Sequence, residues 1–221
     1  VYSAVHDPTD VEQLLAVLPG VASALLDQAP ERQGFRPTAW WAETRREIVE
    51  DVRRSLEALS ALVYGSHESA AAAPGQGFIP TAYEAPFGLR GEPPLVVRDP
   101  EGDEAFQVRG FIDRVDQHPD GGIRVIDYKT GGPSSYRSSA IRDGEKLQLP
   151  LYALAARDAL RLGQPLSGFY WHVRHAEASP FTLEDFGPRE AMEAAVGYAW
   201  DVIRGARAGR FPPQTLKGTC P

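Results

Sequence analysis

GFIDRVDQHPDGGIRVIDYKTG, residues 110–131, decides how this chain is read. Two runs of mixed apolar and charged residues flank HPDG, and Pro-Asp-Gly is strong turn chemistry. The stretch predicts a hairpin of strands over 105–117 and 122–130. Side chains in a strand alternate faces, so Ile123, Val125, Asp127 and Lys129 share one face and Arg124, Ile126 and Tyr128 the other. An acid and an amine thus end an apolar strip. A turn centred on Asp120 pairs Val115 with Val125, and sets Asp113 opposite Asp127 and Phe111 opposite Lys129. In that register two carboxylates lie about 5 Å apart across the strands. Like charges so placed repel unless a shared proton, a nearby cation such as Lys129 or a bound metal neutralises them. Hard divalent cations take carboxylate oxygens, water and phosphate as ligands. Two acids with a lysine alongside therefore suit metal-assisted hydrolysis. The plain alternative is a surface ion pair of Asp127 with Lys129 or Arg114. Arg114 and Asp116 are expected to form only such a pair, whereas Asp127 and Lys129 are expected to serve a third group rather than neutralise each other.

The rest of the composition bounds the class. The chain has 221 residues, 43% hydrophobic and 24% charged, enough to bury a core without staples. Its one cysteine, Cys220, excludes an internal disulfide framework. No apolar run approaches the roughly 20 residues of a membrane helix, and the first residues, VYSAVHDPTD, lack a signal-peptide layout. The expected location is cytoplasmic, with no membrane partner. A net charge of −7 and a pI near 5.3 exclude a nucleic-acid binder that works by bulk charge. They do not exclude an enzyme whose metal ions screen phosphate at an acidic centre.

Two helices precede the strands. Residues 9–29 carry Val11, Leu14, Leu15 and Leu18 at helical spacing, with Pro19-Gly20 as a candidate break. Residues 37–63 set Trp40, Trp41, Ile48, Val52, Leu56, Leu59 and Val63 against a charged, solvated face that includes Arg45, Arg46, Glu50, Arg53 and Arg54. GSHESAAAAPGQG, residues 65–77, reads as a linker. Strands are then expected over 78–89 and 94–99, the hairpin follows, and after it a helix over 144–163, a strand over 166–175 and a helix over 187–208. The fold class is α/β: a central mixed sheet flanked by helices, with a helical N-terminal annex. The expected division is a helical region 1–64, a linker 65–77 and a core 78–221.

In KLQLPLYAL, Gln148 and Tyr152 are four apart and share a helix face, with Pro150 comfortable only in the first turn. Together, GFIDRVD, VIDYKTG and LQLPLYALA resemble the RecB-like branch of the PD-(D/E)xK nuclease superfamily. That branch includes the nuclease domains of RecB- and AddB-type helicase–nucleases and CRISPR-associated RecB-like nucleases. The resemblance covers about residues 80–215 and implies a restriction-endonuclease-like core. It assigns Asp113 and Asp127 as metal-binding acids, Lys129 as the catalytic lysine and the Tyr128 carbonyl as a further metal ligand. Gln148 and Tyr152 match the helix motif beside the metal and the DNA strand, and Glu84 corresponds to an accessory acid of some members. The implied cofactor is Mg²⁺ or Mn²⁺, and the implied partners are DNA, single-stranded or at ends, and a helicase domain or subunit. Arg109, Arg114, Arg137 and Lys146 are candidate phosphate contacts.

The chain departs from the pattern twice. The family's upstream histidine ligand has only His6 as a counterpart, in SAVHDPTD, which does not look like the usual helix. GRFPPQTLKGTCP resembles the run into a four-cysteine iron–sulfur site, but Cys220 alone cannot hold such a cluster, so further cysteines of a longer protein would be required. The expected activity is metal-dependent hydrolysis of DNA phosphodiesters, in repair, recombination or defence. The alternative is a catalytically weak or inactive module that guides DNA within a helicase–nuclease complex.

Overall fold

The 110–131 hairpin forms the centre of a five-stranded sheet in the computed structural model, which describes residues 1–65, 77–137 and 143–211. The strands are β1 (Ile79–Phe87), β2 (Leu95–Arg98), β3 (Ala105–Val108), β4 (Gly110–Gln117), β5 (Gly122–Lys129), β6 (Gln164–His172) and β7 (Glu177–Thr182). The sheet order is β1-β4-β5-β6-β7, with β2 and β3 as a separate two-stranded ribbon. Only β5 and β6 run parallel, so the sheet is mixed. Val115 pairs with Val125 and Arg114 with Ile126, the register expected for a turn at Asp120. Beyond Arg114 the β4–β5 ladder opens toward the acid pair.

Three expectations about strands and helices from residue 105 onward are corrected. Residues 105–117 are not one strand. The chain breaks at Arg109, β3 pairs with β2, and β4 joins β1 and β5. Gly88, at φ +66°, permits the close crossing there, since a Cβ on it would sit 2.7 Å from Arg109 Cβ. The helix expected over 144–163 is regular only as α3 (Gln148–Leu154), then widens into a π-helical turn over Ala155–Ala159. Strand β7 has no counterpart among the expected strands. Its sequence, EASPFT, holds a proline and only one large apolar residue, Phe181.

One face of the sheet carries the main core. Val115, Ile123, Val125 and Tyr170 pack there with Leu149, Ala153 and Leu154 of α3 and Ala191, Met192 and Trp200 of α5 (Pro188–Arg207), which follows the short α4 (Leu183–Phe186). Each such side chain, fully buried, contributes about 1.5–3 kcal/mol if it is Val-sized or larger. The second face is covered by α2 (Trp41–Tyr64), whose Leu59 and Val63 meet Ile126, Phe169 and Trp171. Trp171 Nε1 donates to Ser55 Oγ at 2.7 Å, fixing α2 against β6. Helix α1 (Val11–Gln33) is capped by the Asp10 carboxylate and closed by Gly34 in the left-handed region. It runs on through Pro19 rather than splitting, and Leu14 and Leu18 clamp it onto Leu56. The charged face of α2 is laced by pairs such as Arg53 with Glu50 and Glu57. Among the described residues, no helix is long and apolar enough to cross a membrane.

The same second face hides a charge cluster. Arg114, Asp116 and Arg124 are at most 3% exposed. Asp116 Oδ1 accepts from Arg114 Nε at 2.5 Å and its Oδ2 accepts from Arg124 Nη2 at 2.7 Å. Arg114 also donates to Tyr64 Oη at 2.8 Å and lies 4.6 Å over the Tyr2 ring. The surface pairing expected of Arg114 and Asp116 is thereby corrected. Charges in central strands are buried on both sides, and survive there only because each is paired.

Candidate active site

The site forms where β4 and β5 part. Asp127 leaves β5 on the main-core face, beyond Val125, and Asp113 leaves β4 where its ladder to β5 has ended. Asp113 Oδ2 accepts the Tyr128 backbone N–H at 2.8 Å, so a side chain takes over where the ladder stops. Asp127 is fully buried. Lys129 Nζ lies against Oδ2 as an ion pair, and among the described residues no other donor reaches either oxygen. The expectation that the acid and the amine do not pair is thus corrected: they touch, but inside the protein. Burial pushes the Asp127 carboxyl up to about 6, with Asp113 adding to the rise and Lys129 opposing it. Burial also raises Asp113, against the Tyr128 N–H and Lys129, which lower it.

Helix α3 completes the arrangement. Leu149 and Ala153 are fully buried and seat the helix on the sheet, so Gln148 and Tyr152 face the strand ends. Pro150 lies in the first turn, where its missing N–H costs no helical bond. Lys129 Nζ donates to Gln148 Oε1 at 2.7 Å, and Gln148 Nε2 donates to Tyr152 Oη at 2.7 Å. A relay from Asp127 through Lys129 and Gln148 to Tyr152 results. Leu149 N–H donates to Tyr170 Oη at 3.1 Å, tying the start of α3 to β6.

The other candidates are placed less uniformly. Glu84 lies on β1 with φ +45°, exposed, and shares with Asp113, Tyr83, Tyr128, Tyr2 and Ser3 a recess of about 600 Å³. His6 is exposed beside Asp7 and does not line that recess. Arg109 and Arg137 are exposed, and Lys146 Nζ sits 4.6 Å over the Tyr136 ring. Arg114 is sealed in the opposite face and cannot reach a phosphate. Cys220 and the residue-66–76 part of the linker lie outside the described residues.

Tyr170 and His172 join the site without a local signal in the sequence. They share its face because β6 runs parallel to β5, with Tyr170 beside Asp127 and His172 beside Lys129. Alternation in FYWH shows that the two share a face, but only the pairing says which.

These groups fit a hard divalent cation. Asp127 offers the buried oxygen not met by Lys129, and Asp113 offers the oxygen not held by Tyr128. Among the described residues, no cluster of three or more His, Cys, Asp or Glu side chains gathers. Two carboxylates with a backbone carbonyl and water are enough for a magnesium-type ion, which keeps several waters.

The chain is similar to an ATP-dependent helicase/deoxyribonuclease subunit of Moorella thermoacetica, 38% identical over 107 residues, covering 44% of this chain and 9% of that protein. It is 32% identical over 151 residues to the protein of the same name from Desulforamulus reducens, covering 63% of this chain and 12% of the relative. The match to that from Clostridium tetani is 40% over 78 residues, 34% of this chain and 7% of the relative. The matched segments thus cover about a tenth of the length of these relatives. A profile of the PD-(D/E)XK nuclease superfamily matches residues 3–221. The chain belongs to that superfamily, in its RecB-like branch.

Proposed function

We propose that this chain is a metal-dependent deoxyribonuclease domain that hydrolyses phosphodiesters in single-stranded DNA or at DNA ends. The observation that carries the reading is Asp127: a buried carboxylate close to Asp113 that, among the described residues, is met only by the Lys129 ammonium. Asp113, Asp127 and the Tyr128 carbonyl would hold Mg²⁺ or Mn²⁺. Such an ion, when bound, supplies a more acidic water and screens the scissile phosphate. Lys129 stabilises negative charge that grows on the phosphate oxygens. Gln148 holds the lysine through Oε1, and Tyr152 fixes which way the Gln148 amide points. Lys146, Arg137 and Arg109 contact flanking phosphates. The names of the relatives, ATP-dependent helicase/deoxyribonuclease subunits, support a setting within a helicase–nuclease assembly.

A second reading, a module that guides DNA without cutting it, is favoured by one observation: His6 is exposed and adds no ligand to the acid pair. The test is cleavage of end-labelled single-stranded DNA with Mn²⁺ by the parent, Asp127→Ala and Lys129→Ala. Cleavage by the parent alone supports the nuclease. Retention of DNA without cleavage by the parent supports the guiding module, and cleavage that survives both substitutions removes the site assignment.

A further inference from the structure

We propose that His172 is a positioning residue that fastens the chain leaving β5 and so holds Lys129 in place. The parallel ladder between β5 and β6 ends abruptly at the site. Val173 N–H donates to the Lys129 carbonyl at 2.9 Å, the last bond of the regular series. The next in a parallel ladder would run from His175 N–H to the Gly131 carbonyl. Instead His175 N–H turns back to the His172 carbonyl at 3.1 Å, closing a turn after β6. The Gly131 carbonyl would then lack its strand donor. The His172 imidazole takes that place, with Nδ1 2.6 Å from Gly131 O.

A carbonyl can only accept, so Nδ1 carries the proton. His172 is fully buried, its ring is held at 5.0 Å and 66° by the Tyr136 ring, and it pairs in register with Lys129. Its Nε2 has no hydrogen-bond partner among the described residues. A buried nitrogen left unsatisfied is retained at a cost, which makes the Nδ1 bond the reason for a histidine here. The consequence falls on the lysine. Its carbonyl and that of Gly131 are both tied to β6, so the main chain on either side of Thr130 cannot swing. Lys129 Nζ can then stay between Asp127 and Gln148.

The test contrasts His172→Asn, whose amide nitrogen falls near the Nδ1 position, with His172→Gln, which reaches toward Nε2, and His172→Leu. The proposal rests on the nuclease reading only for its activity readout. In the DNA cleavage assay, His172→Leu and His172→Gln lower kcat by about tenfold with KM changed less than about twofold, as a misplaced catalytic group does. Asn restores kcat to within about threefold. A second readout needs no cleavage. The chain has three lysines, Lys129, Lys146 and Lys217, so after ¹³C reductive methylation the Lys129 resonance is assigned by its loss in Lys129→Arg. That resonance shifts in the Leu and Gln variants and returns in Asn. Asn no better than Leu or Gln, or a Lys129 resonance identical in all variants, overturns the proposal. If the parent does not cleave DNA, the nuclease reading fails while the lysine resonance still decides the role of His172. If the Leu variant does not fold, the Asn–Gln contrast decides it.

Discussion

The two faces of the β4–β5 hairpin carry similar charges to opposite ends. Asp116 on one face and Asp127 on the other are both fully buried. Asp116 is gripped by Arg114 and Arg124, with directed bonds to both oxygens. Asp127 is met by a single donor, the Lys129 ammonium at Oδ2, among the described residues. The difference teaches how to separate structural from functional charge in a sheet. A buried ion cluster that is complete within the protein holds the fold, and removing its acid leaves two buried cations without the charge that balanced them. A buried acid left incomplete asks for something from outside. Period-two alternation puts Asp116 and Asp127 on different faces, and the covering elements decide the rest: the end of α2 seals one face with Tyr64, while the strand ends leave the other open beside Gln148.

The largest effects should therefore dissociate. Asp127→Ala is expected to lower DNA cleavage by at least about a thousandfold, roughly 4 kcal/mol of barrier, with no loss of stability. Asp116→Ala is expected to cost about 3–5 kcal/mol of stability because two guanidiniums remain buried without their carboxylate. Urea unfolding and single-turnover cleavage of both variants measure this. If Asp127→Ala unfolds as readily as Asp116→Ala, the distinction between the two faces collapses.

Much of the site-bearing face was legible in residues 110–131. The turn at HPDG fixes the register, alternation fixes the face, and Gln148 with Tyr152 needs only helical spacing. The second face was not. IDRVDQ and IRVID read as amphipathic strands with wet charges, because nothing local shows that α2, some 50 residues upstream of Arg114, folds back over them. The clue was β5 itself, buried on both sides from Gly122 to Asp127, in which Arg124 had to find a partner. The strand break at Arg109 and the existence of β7 were invisible for a similar reason. Each depends on which strand pairs with which, a long-range choice that residue preference encodes weakly.

The next effect concerns pH. Asp127 titrates near 6 in the folded protein, above its unfolded range near 4, so the native state binds the extra proton between those values. The favourable contribution of this group is full below about pH 4 and is lost as pH rises through about 6, on the order of 3 kcal/mol in all. Burial of Asp113 acts in the same direction. A divalent cation should reverse the loss. The rise in Tm on adding Mn²⁺ is expected to be small at pH 5 and to grow through pH 7. Asp127→Asn should flatten the metal-free profile and abolish most of the metal response. On the other face, Asp116→Asn should leave the metal response intact, and a response lost equally in both variants would mean that the ion binds elsewhere.

The smallest effect probes how finely the open face is set. Gln148 accepts from Lys129 with Oε1, so its NH₂ group must face Tyr152. Tyr152→Phe removes the hydroxyl that rewards this orientation. The amide is then free to turn and present NH₂ to an ammonium, a contact with no acceptor. Cleavage is expected to fall about fivefold, near 1 kcal/mol, the usual worth of one neutral hydrogen bond. Gln148→Ala should cost about tenfold, and Tyr152→Phe placed on top of it should cost almost nothing more, because the hydroxyl acts only through the amide. Additive losses in the double variant would instead place the Tyr152 hydroxyl on the substrate itself.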